Sequence, residues 1–136
     1  MPPSAPEHEP AQAAGQTLAV TAEVLYLVNL LLVPGVAFVI LLVMFFRYRH
    51  RAPPLAACHL RQTVSASIWA GVILVIINLF IIAMGGYDWE WTWVMVILYF
   101  TVCHTTLVLL GTLGLAHAMN GKPFRYPLIG RPCHEL

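Results

Sequence analysis

The sequence predicts an all-α integral membrane protein, three transmembrane helices packed as an antiparallel bundle with the N-terminus outside and the C-terminus inside. Three observations carry this. Of the 136 residues, 60% are hydrophobic and 10% charged, whereas a soluble domain carries roughly 25% charged residues. Three apolar segments each exceed the about 18 residues needed to cross a bilayer core. All seven Lys and Arg residues fall in two segments that three spans place on one side.

The elements follow in order. Residues 1–18 read as a disordered tail, rich in Pro, Ala and Gln, with Glu7 and Glu9 but without the basic start of a cleaved signal peptide. Residues 19–128 form the transmembrane domain, with spans at about 20–46, 63–84 and 92–118. The first span contains Asn29 and a kink at Pro34-Gly35, and it stops at Arg47-Tyr48-Arg49-His50-Arg51. The second span ends at Gly85-Gly86. Tyr87, Trp89, Trp91 and Trp93 then make an aromatic belt at the outer interface, beside Asp88 and Glu90. Residues 129–136 form a C-terminal tail. The cations lie in the first loop and the tail, so those segments are cytoplasmic by the positive-inside rule. Small residues at Ala66, Ser67, Ala70 and Gly71, and at Gly111, Gly114 and Ala118, offer faces for close helix approach.

Polar residues at membrane depth are costly. At about 1.5 Å per residue, Asn29, Asn78, Thr101 and His104 all fall in the outer half to middle of the bilayer. They are expected to meet in one interhelical hydrogen-bond cluster. The acids Glu23, Asp88 and Glu90 are expected at the outer interface. His104 and His117 lie thirteen residues apart on one helix, a spacing suited to two stacked b-type haems. Each haem needs a second axial ligand; His117 has His59 or His50 at the cytoplasmic face, and His104 has none. Each cysteine precedes a histidine. Cys58, His59, Cys133 and His134 together match a tetrahedral zinc donor set, although not its usual spacing. The odd number of cysteines, none placed outside, argues against disulfides.

No nucleophile–base–acid set, phosphate loop or nucleic-acid-sized basic stripe is present, so the chain reads as a non-enzyme that binds no nucleic acid. The function expected is that of a non-catalytic accessory or scaffold subunit of a larger complex in a bacterial inner membrane. Its partners are the lipid bilayer and other membrane subunits or further copies of itself. No resident cofactor is expected; the alternative is a haem- or metal-binding electron-transfer subunit.

The stretch His117-Ala118-Met119-Asn120-Gly121-Lys122-Pro123-Phe124-Arg125-Tyr126-Pro127-Leu128 is the most distinctive. Asn120-Gly121 suits a left-handed helix cap, and Pro123 bars continuation. Phe124 and Tyr126 are expected in the interface and Arg125 at the headgroups, with Arg125 and Tyr126 as packing or partner residues. This stretch, with His59 and Arg61 before the middle span, resembles a family of small bacterial membrane proteins grouped with the Tic-twenty-like import component of the chloroplast inner envelope. The resemblance covers about 42–128, and it implies a transport or protein-translocation component as a second alternative.

Overall fold

In the computed structural model, which describes residues 14–130 and 133, the chain is all-helical. Its helices are α1 (Gln16–Leu31), α2 (Val36–Tyr48), α3 (Pro54–Gly71), a π turn (Val72–Ile76), α4 (Ile77–Gly85) and α5 (Glu90–Met119). α3, the π turn and α4 run on as one rod, Pro54–Gly85, and this rod and α5 are long and apolar enough to cross a membrane. Pro54 opens α3 at its first turn, where a missing N–H costs nothing.

The expected first span, 20–46, is not one helix. Pro34 cannot continue α1, and Gly35 takes φ 87, a conformation that glycine adopts freely. Asn29 Oδ1 accepts a hydrogen bond from Gly35 N at 3.0 Å and holds the turn. The kink is therefore a reversal. A continuous helix would separate Ala22 and Leu41 by about 28 Å. Instead both are fully buried in one cluster with Leu60 and Val64, and Leu18, Leu25, Leu42, Met44 and Phe45 pack against it. α1 runs parallel to α3, and α2 returns antiparallel to both.

This reversal also corrects the expectation that the start of the first span lies opposite the end of the last. Gln16 Nε2 donates to Met119 O at 2.6 Å, so the start of α1 lies beside the end of α5. Arg47, Arg49, Arg51, Lys122 and Arg125 gather at that same end of the bundle. Asp88, Glu90 and the aromatic belt lie at the other, where Trp93 Nε1 donates to Tyr87 O at 2.9 Å. The expected tail, 1–18, lies outside the described residues as far as 13, and from Gln16 onward it is helix.

The small-residue face of α5 does bring helices together, whereas Gly71 on the other expected face meets open space. A Cβ at Gly111 would sit 2.7 Å from Tyr26 and Leu27 side-chain atoms, and one at Gly114 would sit 2.6 Å from Glu23 Oε2. α5 thus presses its glycines directly against α1.

In a chain whose native cysteines are serine, Gln16→Cys with Met119→Cys should be joined by a short bifunctional thiol reagent, and Gln16→Cys with Tyr87→Cys should not. Peptide mass mapping distinguishes the two.

Candidate functional site: a buried polar knot under the C-terminal strap

The sequence gives α1 one charged residue, Glu23, in its second turn. It is not at an interface as expected. It is fully buried, as are His59 and Tyr126. Glu23 Oε1 lies 2.6 Å from His59 Nδ1, and Tyr126 Oη donates to Glu23 Oε2 at 2.5 Å. His59 Nε2 lies 2.9 Å from the carbonyl oxygen of Lys122. A carbonyl only accepts, so Nε2 carries a proton. Two proton arrangements fit: an imidazolium facing a carboxylate, or a neutral imidazole accepting from a carboxylic acid. Both leave the pair neutral overall, which is what permits its burial. Burial, reinforced by the Glu23 charge, pushes the Tyr126 hydroxyl above its ordinary value, so it stays a donor.

The tail is drawn into this knot by one face of α3. His59 meets Lys122 O, Gln62 Oε1 accepts from Tyr126 N at 3.4 Å, and Ser65 Oγ donates to Ile129 O at 2.8 Å. These positions recur every three residues, the spacing of neighbours along one helix face. The strap begins where expected: Gly121 takes φ 67, and Lys122 N donates to His117 O at 2.8 Å. But Tyr126 does not lie in the interface. Its ring packs edge-on to Tyr26 at 5.5 Å and to Phe124 at 5.1 Å. Arg125 is exposed.

The strap carries Cys133 back to α3, where it forms a disulfide with Cys58 across a Cα–Cα distance of 5.3 Å. This overturns the expectation of free thiols. It also removes both sulfurs from any zinc set, and His59 has both ring nitrogens engaged. His134 lies outside the described residues. Among the described residues no three His, Cys, Asp or Glu side chains converge as metal ligands.

The haem candidates are likewise apart. His117 Nδ1 lies 2.8 Å from Leu113 O on its own helix, its ring packs 4.8 Å from Phe124, and the His59 proposed as its partner is committed to Glu23. The expected cluster of Asn29, Asn78, Thr101 and His104 does not assemble. Asn29 holds the hairpin turn, Asn78 Nδ2 donates to Leu74 O at 2.7 Å, and Thr101 is exposed. Only Asn29 and His104 line a common cleft. Sequence reasoning placed Glu23 at an interface and missed Gln62. A lone charged residue in the helix was the signal for the first.

With this geometry in view, the comparisons with known proteins decide the family. One family model, described as the magnetosome magnetite crystal formation protein family, MamF/MmsF, matches residues 15–132. The chain belongs to that family. The match replaces the resemblance to the Tic-twenty-like import component and spans nearly the whole described fold, hairpin and strap included. No curated protein and no solved structure matches.

Two outcomes follow. Glu23→Ala leaves His59 and Tyr126 unpaired and should cost about 3–5 kcal/mol, with Tyr126→Phe costing about 1–3 kcal/mol, read from unfolding in mixed detergent micelles. Without reductant only Cys103 should take up an alkylating reagent in the unfolded chain, and Cys133→Ser should lower stability by about 2–4 kcal/mol.

Proposed function

We propose that this chain is a non-catalytic accessory subunit of the magnetosome membrane, where it works with other membrane subunits or further copies of itself in magnetite crystal formation. Membership of the MamF/MmsF family supports the setting, and the two long apolar helices support the membrane location. The rod Pro54–Gly85 and α5 cross the bilayer. α1 and α2, of 16 and 13 residues, reach about 24 and 20 Å, short of the about 30 Å core. They enter as a re-entrant hairpin from the basic end. By the positive-inside rule that end, with the start of α1 and the end of α5, faces the cytoplasm, and the acidic aromatic turn 86–89 faces the lumen.

The observation that carries the subunit reading is the hairpin turn. Leu32 is 74% exposed, and the turn Leu32–Gly35 is exposed throughout. Non-helical backbone at membrane depth is tolerated where protein or a polar cavity covers it, not against lipid tails. The turn therefore requires a neighbouring polypeptide.

A photo-reactive amino acid at Leu32 should cross-link to a protein neighbour in native membranes, and deletion of the gene should alter the size or number of magnetite crystals in electron micrographs. Lipid adducts alone, a monomer in mild detergent and normal crystals would sink the proposal.

A further inference from the structure

A cleft of about 660 Å³ opens between the hairpin turn, the π turn and the middle of α5, walled by Asn29, Pro34, Phe38, Ser67, Gly71 and His104. Its volume lies within the roughly 300–1,000 Å³ of small-molecule sites, and its character matches theirs: apolar walls with a few converging polar groups. Two of those groups lack partners. Ser67 is 5% exposed, and its Oγ makes no hydrogen bond. It does not donate one turn back, as Thr63 does to His59 O at 2.8 Å. His104 Nδ1 is also buried without a partner, whereas His117 on the same helix turns its Nδ1 to Leu113 O. The His104 ring is stacked on Phe100 at 5.3 Å, which fixes its plane. Buried polar groups in native proteins almost always find a partner, so two that converge on one cleft point to an absent one.

Depth selects the chemistry. Ser67 lies about 20 Å from the start of α3, and His104 about 21 Å from the start of α5, so both sit near the bilayer midplane. A charged headgroup there is costly. An acyl chain would fill the volume but leave both polar groups unpaired. A neutral head with a carbonyl acceptor and an apolar tail satisfies every wall. The π turn is a further pointer, since such turns in helices are frequent at functional sites, and Gly71 beside it leaves open space where a Cβ would stand.

We propose that this cleft binds a neutral, membrane-dissolved ligand of the quinone class, its carbonyl oxygen accepting from Ser67 Oγ–H and His104 Nδ1–H. The site lies apart from the strap, and its labelling by a small probe reads separately from the protein cross-link expected at Leu32. The test uses the full chain in phosphatidylcholine nanodiscs with an azido-quinone photoprobe, competed by decylubiquinone. Saturable, competable labelling within 67–76 and 100–104 is expected. Ser67→Ala with His104→Phe should weaken apparent affinity about tenfold. Gly71→Leu should fill the cleft and abolish labelling while leaving the melting temperature unchanged, and it decides the matter if the double variant fails to fold. Labelling that rises linearly with probe and spreads over the outer helix faces overturns the proposal. So does labelling that Gly71→Leu leaves intact, or none above background.

Discussion

The carboxylate of Glu23 is the group on which the rest of the structure depends. Fully buried in the second turn of α1, it has no water to turn to. It is satisfied only if His59 of α3 and Tyr126 of the strap meet it at once. That single requirement sets α1 in register with α3, seats the strap across the basic end of the bundle and leaves room on α5 only for glycine at position 114. Removing one partner of such a buried set leaves the others uncompensated, which is far more costly than the net worth of the pair. The set therefore specifies the arrangement more than it adds to stability.

The hairpin and the strap are two consequences of the same geometry. Asn29 and Gly35 turn the chain so that α2 can fold back, and the return of α2 encloses Ala22, Leu41, Leu60 and Val64. The strap then covers the end of that core, held by hydrogen bonds along one face of α3 and by the disulfide from Cys58 to Cys133. Both cover the basic end. Toward the middle of the rod the bundle opens, and the cleft, the π turn and the exposed hairpin turn lie together there. The molecule is closed at its basic end and open toward the middle of the rod.

Much of this was legible in the residues, and the failures have physical causes. Helicity, the apolar part of the rod (63–84), α5, the cap at Asn120-Gly121 and the polarity of charge along the bundle all follow from local composition, whereas 54–62, expected as loop, is helix. Pro34-Gly35 was visible as a break, but nothing local distinguishes a kink from a reversal. That choice is settled by whether Ala22 packs on Leu41, a contact between residues nineteen apart. Reading α1 as the outer end of a continuous span puts Glu23 at an interface and hides its pairing with His59. Cys133 was similarly out of reach until the strap was seen to fold back along α3. Among the site candidates drawn from residue type alone, His59 and His117 do not pair with each other because packing gives each another partner. The MamF/MmsF family, likewise, was not recognised from the tail motif, which is a helix cap and a buried tyrosine that unrelated helical proteins can share.

The most direct test of the account is solid-state NMR of the chain in lipid bilayers, labelled with nitrogen-15 in histidine and carbon-13 in glutamate. A strong through-space correlation between the Glu23 carboxyl carbon and His59 Nδ1, lost in Glu23→Gln and unaffected by exchange into heavy water, is the predicted result. No such correlation would contradict the buried knot and with it the position of the hairpin.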